Sequence, residues 1–184
     1  MRSASPLSHV FTFGGRVPAA VGGLIVAIVA ASLLGALFPE LGAAGALRPD
    51  EVWRGQVWRL GTWLLFEERS PVAPMNLLFG ALTLFWFGRD LCHAWGSRRF
   101  LITFFGVAAG AAALTCALAR FVLPGLMGGI WSGPWAAITT LLVAWSMLFP
   151  ERQMMFNLVL PVTGRTLFWL TIGGTVLWAA FSVH

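Results

Sequence analysis

Val17–Phe38 runs for 22 residues without a charged side chain. A helix that crosses a bilayer needs about 20 apolar residues, whereas the apolar core of a signal peptide has about 7–15. The run is too long for a signal peptide, and Phe38-Pro39-Glu40 is a poor cleavage site, so the segment predicts a first transmembrane helix. Composition extends that reading to the whole chain. Hydrophobic residues make up 58% of the 184 and charged residues only 10%, with a mean hydropathy of +0.81. A soluble domain carries about 25% charged residues. The chain therefore has too little charge to cover a water-facing surface, and it predicts an all-α, polytopic membrane helical bundle.

Further apolar runs fix the expected organisation: one domain, 1–184, with spans at 17–38, 74–92, 100–123, 132–149 and 166–183. Residues 39–72 form a long connection rich in Trp and Arg (Val52-Trp53-Arg54, Val57-Trp58-Arg59). Tryptophan and arginine favour the headgroup level, so this loop is expected to dip into the membrane. The third span carries Gly106 and Gly110 four residues apart, followed by Ala111, Ala112, Ala113 and Ala117. Small residues at that spacing let helices approach closely, and the span reads as a packing helix.

All 12 basic residues are arginine, and there is no tyrosine. That bias points to a GC-rich bacterial genome and hence to a bacterial inner membrane. Arg2 and Arg16 precede the first span, Arg89 lies at the end of the second, Arg98 and Arg99 in the turn between the second and third, and Arg152 and Arg165 between the fourth and fifth. By the positive-inside rule these ends are cytoplasmic, which puts the N-terminus inside and both Ser132 and His184 toward the outside. The net charge of +5 is distributed over segment ends and forms no basic face for nucleic acid. Cys92 and Cys116 show neither metal spacing nor a disulfide framework, and no cofactor is implied.

Ser132 stands out as a lone hydroxyl between Gly125, Gly128 and Gly129 and a long apolar run. Its plain reading is the N-cap of the fourth span, with Gly133 and Pro134 in the first turn. Its chemical reading rests on a resemblance. Gln56-Val57-Trp58-Arg59-Leu60, Asn76-Leu77-Leu78-Phe79, Trp86-Phe87-Gly88, Gly96-Ser97-Arg98-Arg99, Ser132-Gly133 and Phe149-Pro150-Glu151-Arg152 occur in an order and spacing that resembles the rhomboid family of intramembrane serine proteases, over about residues 52–183.

That resemblance implies a Ser132 nucleophile at the head of the fourth helix, an Asn76 donor to the oxyanion from the second helix, and a histidine base from a sixth. A serine hydroxyl needs a base within hydrogen-bond reach, and its oxyanion needs positioned donors. The family's first motif glycine is replaced here by Ile130, Trp131 is bulky where the family has a small residue, and Gly80 stands where a second polar side chain is expected. The sixth helix does not occur in this sequence, and His184 is the remaining candidate base on the expected side.

Two functions follow. The first is a non-catalytic pseudoprotease or membrane-complex subunit that binds the transmembrane helices of a partner, with membrane lipid around it. The second is an intramembrane serine endopeptidase. A transporter fits less well, because the spans carry almost no ionisable residues away from their ends and the halves show no inverted repeat.

Overall fold

The structure, a computed structural model, describes residues 9–12, 16–151, 153–156 and 160–182. The chain divides into two compact units, residues 1–138 and 139–184.

The first unit opens with a short antiparallel hairpin, β1 (His9–Thr12) and β2 (Arg16–Pro18), which leads directly into α1 (Ala19–Leu37). Nineteen residues rise about 28 Å, close to the thickness of the bilayer's hydrocarbon core. The helix ends where Pro39 follows, since proline removes a donor and disfavours the helical conformation in the residue before it. Pro39 then serves as the first residue of α2 (Pro39–Gly45), a position where its missing N–H costs nothing. One face of α1 is buried through Val21, Leu24, Ile28, Ser32 and Gly35.

The long connection is built from short helices: α2, α3 (Pro49–Trp53), α4 (Arg59–Thr62) and a 3-10 turn at Trp63–Leu65. Both α3 and α4 lean on α7 (Ser97–Phe121). The indole N–H of Trp53 donates to the Cys116 carbonyl at 3.1 Å, and its ring meets Phe121 edge-on at 6.1 Å. The loop is thus held by a helix as well as by whatever lies around it. At its centre Arg59 is only 6% exposed. It donates to the carbonyls of Ala43 (2.7 Å) and Ala46 (2.6 Å) and to Gln56 Oε1 (2.8 Å), while Gln56 donates to Glu51 at 2.6 Å. One guanidinium therefore satisfies carbonyls left over at the end of α2. The Phe66 ring lies over the backbones of Gly35 and Gly45, so close that a Cβ at either position would run into it.

Residues 73–95 are helical throughout: α5 (Ala73–Thr83) passes through one π turn, Leu84–Gly88, into α6 (Arg89–Trp95). The π turn buries Leu84, Phe87 and Gly88, and a Cβ at Gly88 would meet Phe100 at 3.3 Å and Val21 at 3.6 Å. Here α1 packs against the second helix, and the Phe100 ring of α7 reaches it. Gly96, at φ +82°, breaks the chain between α6 and α7, a backbone conformation glycine adopts without strain.

The buried face of α7 is Phe100, Phe104, Ala108, Ala112, Cys116 and Ala119. The expected small-residue contact is therefore only half right. Ala112 is buried, but Gly106 and Gly110 are exposed, with nothing within 4 Å of a Cβ at either. They lie on the other side of the helix from the residues that pack. Alanines at the 108/112 spacing serve the close packing instead.

The start of the fourth apolar helix also differs from expectation. The helix α8 covers Trp135–Leu148, and its first bond runs from the Ile138 N–H to the Pro134 carbonyl at 2.9 Å. The capping position is therefore Pro134, and Ser132 is not the N-cap. The reason lies in Gly133, whose φ of +105° turns the chain away from helix before proline.

The second unit begins within α8, at residue 139, and α8 is followed there by an antiparallel hairpin, β3 (Gln153–Phe156) with β4 (Leu160–Thr163), in register Gln153↔Thr163 to Phe156↔Leu160. The last connection is thus partly β, a local exception within a mostly helical chain. Thr163 Oγ1 accepts the Thr166 N–H at 3.3 Å and so caps α9 (Gly164–Ser182). Among the described residues, α1 and α7 are long and apolar enough to cross a membrane, and α8 is apolar but shorter.

Candidate functional site

Four segments of the first unit meet around Glu67: α1, the 63–67 segment, α5 and the turn before α8. Ser32 is a lone hydroxyl on the buried face of α1, 4% exposed. Its Oγ donates to the Leu65 carbonyl at 3.1 Å and accepts the Glu67 N–H at 2.9 Å. A single serine thereby fixes the backbone on both sides of Phe66. Asn76, in the second turn of α5, donates through Nδ2 to Glu67 Oε1 at 2.9 Å. The other carboxylate oxygen, Oε2, is buried against Gly133, where an added Cβ would lie 3.0 Å from it. The Trp135 indole also reaches the carboxylate closely enough to lower its pKa, yet Oε2 has no hydrogen bond of full geometry. Burial is the largest influence on this carboxyl and raises its pKa above the ordinary 4.5; the neighbouring Glu68 charge adds to the rise, and Asn76 and Trp135 oppose it.

The turn itself is tied by its backbone. Trp131 and Leu47 exchange two hydrogen bonds, Leu47 N–H to Trp131 O at 2.8 Å and Trp131 N–H to Leu47 O at 3.0 Å. The Gly133 N–H donates to the Trp63 carbonyl at 3.0 Å. Ser132 sits between these anchors, half-buried, and no hydrogen bond to its Oγ occurs among the described residues. The crevice nearest the turn is lined by Ile25, Ile28, Val29, Leu77, Gly80 and Pro134 among others, all apolar.

The structure thus brings Asn76 and the Ser132–Gly133 turn to the same carboxyl group. It commits one Asn76 amide hydrogen to Glu67 and the Gly133 N–H to Trp63. The proposed base, His184, lies outside the described residues. His93 is exposed on α6, seventeen residues beyond Asn76 on one continuous helical stretch, about 25 Å along it. Among the described residues no group of three or more His, Cys, Asp and Glu could hold a metal ion.

Sequence reasoning missed Ser32 and Glu67. Ser32 had a readable signal, since a hydroxyl inside an apolar span needs an acceptor. Glu67, next to Glu68 in a loop with balancing arginines, had none.

No curated protein matches the chain. The signature of the eukaryotic integral membrane protein family DUF1751 matches residues 22–184. This overturns the expectation of a bacterial inner membrane. The arginine-only composition records coding bias and says nothing about the cell, and any bilayer imposes the same apolar spans. With nearly its whole length matched, the chain belongs to the DUF1751 family of eukaryotic integral membrane proteins.

Proposed function

We propose that this chain is a rhomboid-like membrane protein with five transmembrane helices, that it performs no proteolysis, and that it binds the transmembrane helices of a partner protein within a lipid bilayer. The observation that carries the reading is the hydrogen bond from Asn76 to Glu67, with the second carboxylate oxygen against Gly133. A protease would need donors at this place for a developing negative charge. Here a carboxyl group takes the Asn76 donor, and the Gly133 N–H is taken by Trp63.

The five spans would be α1, the continuous helix at 73–95, α7, α8 and α9. The open Gly106 and Gly110 positions on α7 support partner binding, because small residues allow a second helix to come close. The exposed Trp86 and Phe105 offer apolar contact area to either helix or lipid.

A second reading, an intramembrane serine endopeptidase, is favoured by one feature: Ser132 Oγ is half-exposed and uncommitted among the described residues. It would take Ser132 as nucleophile, Asn76 as oxyanion donor after release from Glu67, and His184 as base.

A photo-crosslinking amino acid placed at Gly110, activated in native membranes and read by mass spectrometry, separates the two. The proposal expects adducts to intact transmembrane segments, unchanged in Ser132→Ala. Adducts to segments cut within the span, with cutting abolished by Ser132→Ala, would establish the protease instead.

A further inference from the structure

The Glu67 carboxyl is poised between two states, and its surroundings favour them differently. It is bonded to α5 through Asn76 and lies against the turn before α8 at Gly133, so three parts of the first unit meet at it: the 63–67 segment that carries it, α5 and the turn. The backbone of the same turn is anchored to the same segment by Gly133 N–H to Trp63 O. One carboxylate oxygen has a donor of full geometry, and the other is enclosed with none of full geometry, the Trp135 indole standing nearby. A neutral carboxyl tolerates that enclosure. An ionised carboxylate spreads its charge over both oxygens, and enclosing one of them without a donor of full geometry disfavours the charged form.

We propose that Glu67 is a protonation-operated latch: neutral, it holds the 131–134 turn closed against α5 and the 63–67 segment; ionised, it lets the turn lift so that water solvates Oε2. The proton goes to and comes from bulk water, and no other group changes state. The elements packed around the carboxyl present Ser32 from α1, Asn76 from α5, and Gly133 and Trp135 from the turn and α8, none of them charged. Glu68 is the charged neighbour that acts on it, and its repulsion favours the neutral form. The latch does not depend on whether Ser132 is catalytic.

Hydrogen exchange on the full chain in lipid nanodiscs, corrected for the intrinsic pH dependence of exchange, tests this. The reporters are the Trp131 and Gly133 amides, which are bonded to Leu47 and Trp63, with amides in the middle of α7 as the reference. If one proton controls the latch, the opening equilibrium rises with pH by up to about tenfold per unit through the titration and then levels. The α7 reference stays flat. Glu67→Gln, neutral at every pH and of the same size, is expected to remove the slope and keep the turn protected, while Glu68→Gln keeps a slope displaced to lower pH. Corrected protection of Trp131 and Gly133 in the unmodified chain that is independent of pH overturns the proposal, with no variant needed. A slope that persists unchanged in Glu67→Gln overturns it as well.

Discussion

The loop at 39–67 and the turn at 130–134 are anchored to one another, yet they are built on opposite plans. The loop is held by side chains: Arg59 on two carbonyls and Gln56, Thr62 on the Gly45 carbonyl at 2.9 Å, and Trp53 on α7. The turn is held by backbone, through the Leu47–Trp131 pair and Gly133 on Trp63, with one side-chain contact of consequence, Glu67. Arg59, Thr62 and Trp53 of the loop are consumed in structure, although Arg48 Nε, Asp50 Oδ1, Trp63 Nε1 and Glu67 Oε2 are buried without a hydrogen bond, whereas the hydroxyl of the turn has no hydrogen-bond partner among the described residues. A buried polar group without a partner is costly, and the loop meets most of that cost with side chains on carbonyls. The difference is that Arg59, Thr62 and Trp53 hold backbone together, while Ser132 Oγ carries no hydrogen bond among the described residues.

The contrast can be broken most forcefully at Arg59. Arg59→Ala leaves the Ala43 and Ala46 carbonyls without their donor in a buried place and is expected to cost on the order of 3 kcal/mol. Thermal unfolding in detergent micelles would read this as a large drop in Tm, and a loss near zero would remove the loop's side-chain plan. Gly133→Ala comes next, at roughly 1–3 kcal/mol, since alanine is strained at φ +105° and its Cβ presses on Glu67 Oε2. The same unfolding measurement applies, and a stable Gly133→Ala protein would show that the turn is not fixed as described.

Asn76→Ala is expected to cost about 1–2 kcal/mol at neutral pH, because it removes the one full hydrogen bond to a buried carboxyl. Glu67→Gln tests the sign of the carboxyl's titration. Its folded pKa lies above 4.5, so the folded form binds more protons than the unfolded form between 4.5 and the raised value. The favourable contribution is complete below 4.5 and is lost as pH rises through the folded pKa. Stability of the unmodified chain should therefore fall with rising pH relative to Glu67→Gln, and parallel curves would contradict the burial of this group. Smallest is Ser132→Ala, expected to change stability by less than about 0.5 kcal/mol because no bond to Oγ is lost.

How much of this could be read from the residues follows physical lines. Apolar runs gave the long helices, because burial of a whole segment depends on its composition alone: 17–38 became Ala19–Leu37 and 100–123 became Ser97–Phe121. Which face packs was less legible. Gly106 and Gly110 carry the spacing of a contact yet lie open, while Ala108 and Ala112 do the packing. Spacing defines a stripe but not which side its neighbours occupy. Asn76 and Gly133 meet the same carboxyl group, but that partner was invisible in the sequence because Glu67 is joined to Asn76 by tertiary structure alone. The start of α8 was misplaced by three residues, since Ser132 has the chemistry of a cap and Gly133 has the conformation that prevents one.

The central claim, that Ser132 is not an activated nucleophile, is tested most directly by labelling the full chain in lipid nanodiscs with a fluorophosphonate probe, comparing the unmodified protein with Ser132→Ala and Glu67→Gln. The account expects no label above the Ser132→Ala background in any of them. Stoichiometric labelling of the unmodified chain that disappears in Ser132→Ala would contradict it.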